Sequence, residues 1–225
     1  MRSPSRIREL RLRAEASNID TRGMCKGSIL RALNAQEGVQ NGRHPHCTVG
    51  RLGVPGKEGS VFEVKLRGGR CFAKKIFKRG KSASRVYTEA TLQSLAAMAG
   101  LSPRIEEFNL VEKYILMQKL EHNLYDILLK RKGRLTQRLQ RDILRLFRDL
   151  DAVGVFHKDP NPLNFMLDAD GKLKVIDFGF SEKISEKKHG RDPNIKQMTL
   201  GLVLKLREVF PGVEYSILNS ALPEG

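Results

Sequence analysis

The stretch His157-Lys158-Asp159-Pro160-Asn161-Pro162-Leu163-Asn164 is followed, thirteen residues after its Asn, by Asp177-Phe178-Gly179. Two carboxylates and a carboxamide are oxygen donors, which suit a hard divalent cation such as Mg2+ that shares its coordination shell with substrate phosphates. Phe165-Met166-Leu167, an Asp-Ala-Asp-Gly turn at 168–171 and the apolar run Leu173-Lys174-Val175-Ile176 read as one tight β-hairpin between them. Such a hairpin returns the chain to its starting end and brings Asp159, Asn164 and Asp177 together. Phosphoryl transfer is the chemistry that these residues point to.

The elements that must position them lie on both sides. Cys47 to Leu52, Ser60 to Leu66 and Arg70 to Phe77 read as three antiparallel strands, joined through Gly56-Lys57-Glu58-Gly59 and a Gly68-Gly69 turn. Period-two alternation puts Phe72, Lys74 and Ile76 on one face of the third strand and Ala73, Lys75 and Phe77 on the other. A helix is expected over Ser84 to Ala99, with Ser82 or Ser84 as cap, Gly100 as stop and Val86, Ala90, Leu95 and Ala99 as its apolar residues. Glu89 lies mid-helix. Asn109 to Val111 and Tyr114 to Met117 read as strands around a turn near Glu112, followed by a short helix at Leu124 to Leu129. Gln137 to Val153 carries a single apolar face through Leu139, Ile143, Leu146, Phe147, Leu150 and Val153, and delivers the chain through Gly154 to the His-Lys-Asp stretch. Beyond Gly179, Ser181 to Asn194 reads as a polar loop and Ile195 to Phe210 as one apolar helix.

On these residues the chain resembles the protein kinase superfamily. The first stretch is similar to its H-R-D-L-x-x-x-N loop, with Lys158 for Arg and Pro160 for Leu, and Asp177-Phe178-Gly179 is similar to its D-F-G. Gly56, Gly59 and Val61 match the second half of G-x-G-x-x-G-x-V; Val54 stands at the first glycine unless Gly53 serves with one extra residue. Ala73-Lys74-Lys75 stands where the family carries Val-Ala-Ile-Lys.

The resemblance implies an α+β, bilobal protein-kinase-like fold. Residues 44–119 would form an antiparallel β-sheet N-lobe, residues 120–225 a truncated, mainly helical C-lobe, and residues 1–43 a basic N-terminal extension. It implies ATP and Mg2+ as cofactors, with Asp159, Lys75 and Glu89 as catalytic residues and Asn164 and Asp177 holding the metal. Gly56, Gly59, Val61, Ala73, Lys75, Met117, Gln118, Leu120 and Met166 would bind the nucleotide. No Ala-Pro-Glu follows the Asp-Phe-Gly, and the loop after it is short. What remains is similar to reduced kinases: the RIO family, the kinase of the KEOPS tRNA-modification complex and compact viral or bacterial kinases. Asn161 stands where serine/threonine kinases usually carry Lys, so protein Ser/Thr, autophosphorylation and a small hydroxylated acceptor all stay open. Lys158 cannot give the bidentate grip of Arg on a phosphorylated loop.

Composition sets the remaining bounds. With 225 residues and 40% hydrophobic content the chain can bury a sizeable core. A net charge of +16 favours anionic partners such as nucleotide, nucleic acid, an acidic protein or a membrane surface, or else is a solvated basic surface. Aromatic content of 6% without Trp speaks against a stacking platform for single-stranded nucleic acid. Cys25, Cys47 and Cys71 are odd in number and widely spaced, so no disulfide framework is expected. His44-Pro45-His46-Cys47 has no second ligand pair and is not read as a zinc site. No apolar run reaches the roughly 18 residues of a membrane span, and the arginine-bearing N-terminus lacks a signal peptide's apolar core. A cytoplasmic protein is expected, with the nucleus also open. Arg6 to Ala16 and Gly27 to Ala35 read as two short helices, in either a nucleic-acid-binding arm or an extension packed on the domain. The expectation is an ATP-dependent phosphotransferase, first of all a serine/threonine protein kinase with a protein substrate and an activating protein partner completing its lower lobe. The rivals are a kinase-fold pseudoenzyme acting with a partner and a small-molecule kinase.

Overall fold

A computed structural model of the chain describes residues 46–66, 69–185 and 191–222. The basic extension with its two expected helices, Cys25 and His44 lie outside the described residues. The described chain opens with strands β1 (His46–Leu52), β2 (Gly59–Leu66) and β3 (Cys71–Phe77), helix α1 (Ala83–Met98), and strands β4 (Ile105–Asn109) and β5 (Tyr114–Gln118). They form a five-stranded antiparallel sheet in the order β1-β2-β3-β5-β4.

The alternation along β3 is realised as two separate apolar clusters. Ala73 and Phe77 pack with Val86 and Ala90 of α1 and with Phe108, Ile115 and Met117, while Phe72 packs with Val64, Tyr114 and Leu116. Lys74 shares the second face; it is buried, and its ammonium lies 3.8 Å from the centre of the Tyr114 ring.

Helix α1 begins where Ser82 accepts a hydrogen bond from the Arg85 N–H, and it stops before Gly100, whose φ of +75° suits a residue without Cβ. Its buried face differs from the expected stripe. Glu89, Leu92, Gln93 and Ala96 are inside and Ala99 is exposed. Polar residues enter that face because each has a dedicated partner: Gln93 donates to the Pro103 carbonyl (3.2 Å) and Glu89 meets a lysine. The strand expected at 109–111 lies earlier, at β4, because the Asn109 side chain accepts the N–H groups of Val111 (2.9 Å) and Glu112 (2.8 Å) and turns the chain there.

The second half contains β6 (His122–Asn123), α2 (Leu124–Lys130), α3 (Gln137–Ala152), β7 (Val155–Phe156), a 3-10 turn at Pro162–Asn164, β8 (Phe165–Leu167) and β9 (Leu173–Val175). A 3-10 turn at Phe178–Phe180, β10 (Glu182–Lys183), a π-helical turn at Asn194–Met198, α4 (Thr199–Val209) and α5 (Ser216–Asn219) complete it. Leu139, Ile143, Leu146, Phe147 and Leu150 of α3 are buried in one core with Leu124, Leu128, Phe165, Val175, Leu202 and Leu206. Each such side chain contributes about 2 kcal/mol by leaving water, which makes α3 the post on which the loop after it is mounted.

Three features depart from expectation here. Part of the expected polar loop is the strand β10, paired antiparallel with β7, and Ile184 beyond it is buried. The helix expected from Ile195 opens as a π-helical turn, its first N–H groups, of Asn194 and Ile195, donating to the Asp151 carboxylate at 2.9 and 3.0 Å. α5 was not expected; buried Gln140 of α3 holds it by accepting the N–H groups of Ile217 and Leu218. Among the described residues no helix is long and apolar enough to cross a membrane.

Candidate active site

Lys75 is on β3, between β2 and β5, opposite Val61 and Ile115. Because α1 covers this face of the sheet, the lysine is directed at the helix. Its Nζ lies 2.5 Å from Glu89 Oε1 and 2.7 Å from Asp177 Oδ1, with the Lys75 and Glu89 side chains only 9% and 2% exposed. Burial disfavours the Lys75 ammonium, yet Glu89 and Asp177 more than offset it, so its pKa stands above the ordinary lysine value. Burial likewise works against the Asp177 carboxylate, and Lys75 reverses the balance, holding it below the usual range. Asp177 has a left-handed backbone, φ +64°, a region that Asp tolerates better than most residues. The adjacent Phe178 is buried and meets the His157 ring edge-on at 5.1 Å.

The expected hairpin forms, with Phe165 opposite Val175 and the Ile176 N–H donating to the Asn164 carbonyl at 2.9 Å. Asn164 is therefore tied to the residue before Asp177. Its amide nitrogen donates to Asp159 Oδ2 at 2.8 Å, and Lys205 Nζ from α4 lies 3.3 Å from Asp159 Oδ1. His157 is fully buried; its Nε2 lies 3.0 Å from the Ile176 carbonyl, which can only accept, so the proton is on Nε2 and Nδ1 is bare. Burial lowers its pKa. The His157 N–H donates to Asn194 Oδ1 (3.0 Å), and Asn194 in turn donates to Asp151 (2.7 Å) and the Val155 carbonyl (2.8 Å). Asn194 thus anchors the loop to α3. Lys158 has φ +68° and pairs with Glu182 of β10 at 3.0 Å. Asn161 caps the 3-10 turn, accepting the Leu163 N–H at 3.0 Å.

The turn between β1 and β2 closes through a Gly56 N–H to Gly59 carbonyl hydrogen bond of 2.8 Å. A Cβ on Gly59 would overlap the Ile76 carbonyl, so this position admits no side chain. The left-handed residue of the turn is Gly53 at φ +70°, while Val54 is 87% exposed. Glu58 was missed by reading 56–59 as a glycine turn alone. Its carboxylate pairs with Lys81 and lies against Gly179, and it supplies one of three oxygens, with Glu89 and Asp177, that lie within 4.8 Å of one another. No local signal marks Glu58, because its company comes from residues 81, 89, 177 and 179.

Val61, Ala73 and Met117 meet in one apolar cluster, and Met117 Sδ accepts from Gln93 at 3.3 Å. Leu120 is buried and Met166 half-buried, both outside that cluster. The Gln118 N–H donates to the Arg104 carbonyl at 2.9 Å. Such an arrangement fits a magnesium nucleotide: the donors are all oxygens, Oε2 of Glu58 and of Glu89 are buried without a partner, and a buried ammonium stands beside them. With its nitrogen engaged by Asp159, Asn164 has its oxygen to offer a cation.

Residues 48–201 match the model of the protein kinase domain. A CBL-interacting protein kinase of Oryza sativa subsp. japonica is 30% identical over 159 residues, 64% of this chain and 38% of that protein. Mitogen-activated protein kinase 16 of the same plant is 31% identical over 129 residues, 51% of this chain and 25% of that protein. A serine/threonine-protein kinase of Dictyostelium discoideum, ndrC, is 39% identical over 49 residues, 22% of this chain and 4% of that protein. The chain thus spans well under two thirds of each relative.

Proposed function

This chain belongs to the protein kinase family, and on that premise we propose that it transfers the γ-phosphoryl group of ATP to a hydroxyl, first of all as a serine/threonine protein kinase. The observation that carries the reading is the buried Lys75 ammonium held between Glu89 and Asp177. ATP with Mg2+ supplies the phosphoryl group and a cation that offsets the charge growing on it. Lys75 orients the α- and β-phosphates, and Glu89 fixes Lys75. The Gly56–Gly59 turn, closed by its own Gly56 N–H to Gly59 carbonyl bond, covers the nucleotide. Asp177 and the Asn164 oxygen would hold the metal. Asp159 orients the acceptor hydroxyl and takes its proton, with Asn164 fixing one of its oxygens.

Against a pseudoenzyme, Lys75, Asp159, Asn164 and Asp177 are all present. The acceptor is proposed to be protein because a relative 39% identical over 49 residues bears a serine/threonine-protein kinase name. The test is label transfer from γ-labelled ATP with Mg2+ to a generic protein acceptor, comparing the chain with Asp159→Asn and Lys75→Ala. Loss of transfer in both variants supports the reading. Transfer that survives both refutes it, and nucleotide binding without any transfer supports the pseudoenzyme.

A further inference from the structure

Helix α4 runs against the loop that carries Asp159. A Cβ added to Gly201 would stand 2.6 Å from Pro160 Cγ, so the absence of a side chain is what allows the helix this close. Lys205 follows Gly201 by four residues and therefore lies on the same helix face. Its Nζ reaches to 3.3 Å from Asp159 Oδ1, and the Lys205 side chain is 42% exposed.

Among the described residues, three further lysines at the site are engaged elsewhere. Lys75 is held by Glu89 and Asp177, Lys81 by Glu58, and Lys158 by Glu182 at 3.0 Å. Asn161, two residues after Asp159, uses its side chain to cap the turn at 162–164. We infer that Lys205 is the cation of the transfer step at Asp159, fixing that carboxylate and facing the phosphoryl group being transferred; this rests on the phosphotransferase reading above. A carboxylate and a phosphoryl group that must come together repel each other, and an ammonium beside both offsets the repulsion where the charge develops. An ammonium has three donors, so one on Asp159 leaves two for phosphoryl oxygens. The helix after the Asp-Phe-Gly segment thereby supplies an ammonium to Asp159 from 46 positions away, while the loop's own Lys158 is paired with Glu182.

The test uses the full chain and an ATP derivative acylated on its γ-phosphate. A lysine beside that phosphate attacks the acyl carbon, an amide forms on Nζ and ATP departs, and the modified peptide is read by mass spectrometry. Lys205 is expected to carry the acyl group, suppressed about tenfold or more by excess ATP, as befits a group at the developing charge. ATP-suppressible labelling of Lys75 without Lys205 would overturn the inference and leave the nucleotide site standing. No ATP-suppressible labelling of either would overturn the phosphotransferase reading and the inference with it. In transfer assays Lys205→Ala should lower kcat about tenfold or more while KM for ATP stays within about twofold, with Lys205→Arg restoring part of kcat. An unchanged kcat in Lys205→Ala would also overturn the inference.

Discussion

Lys75 Nζ stands 2.7 Å from Asp177 Oδ1, joining residues 102 positions apart in the chain. The same ammonium holds Glu89 at 2.5 Å. One lysine thus couples the sheet, helix α1 and the Asp-Phe-Gly segment, so it bears on the stability of the fold.

Replacing Lys75 by Met leaves two carboxylates facing each other, one of them on the buried Glu89. Lys75→Met is expected to abolish transfer and to destabilise the fold by about 3 kcal/mol, the cost of breaking a buried pair. Adding Glu89→Leu should recover much of the stability and none of the transfer. Urea unfolding of both variants checks this; equal stability of Lys75→Met and the parent chain would contradict the observed pairing.

The two glycines of the β1–β2 turn should respond differently. Gly59→Ala forces a Cβ into the Ile76 carbonyl and is expected to cost about 2 kcal/mol or more. At Gly56 a Cβ would meet only the Gly59 carbonyl at 3.5 Å, and Gly56→Ala should stay within about 0.5 kcal/mol. Thermal unfolding of the pair decides it.

His157 is neutral in its buried place, with its pKa lowered by burial against the opposing pull of Asp159 and Asp177. The unfolded chain therefore binds the proton first as pH falls, and stability declines below about 6.5 until the folded pKa is passed. Tm should drop between pH 7.5 and pH 5.5, and His157→Gln, which can still donate to the Ile176 carbonyl, should flatten that part of the profile. A Tm profile unchanged by the substitution would contradict it.

Asn194 joins the His157 N–H, the Val155 carbonyl and Asp151 through one fully buried side chain. Asn194→Ala removes the partner of the His157 N–H and of the Val155 carbonyl, while Asp151 keeps its two backbone N–H donors, and is expected to cost about 2 kcal/mol. The loosened loop should lower kcat more than it raises KM for ATP, read from unfolding curves and steady-state transfer.

Much of this architecture is legible from local pattern. The β8–β9 hairpin, the α3 stripe and the faces of β3 follow from turn residues and from periods of two and 3.6, which act within a few neighbours. The edges were less legible. β4 ends at Asn109 because a side chain closes the turn, and α1 buries Glu89 and Gln93, which amphipathic pattern assigns to solvent.

By itself the sequence determined that Asp159, Asn164 and Asp177 are oxygen donors at a spacing that sets Asn164 one hairpin away from Asp177. Only the tertiary structure decided that Glu58 turns toward Asp177, that Asn194 anchors His157 and that Lys205 reaches Asp159. Each of these depends on how elements far apart in the chain pack. The close approach of Gly201 to Pro160 sets where an ammonium four residues further on will lie. Such an approach is fixed by side chains meeting in the shared core, and no local run of residues contains it.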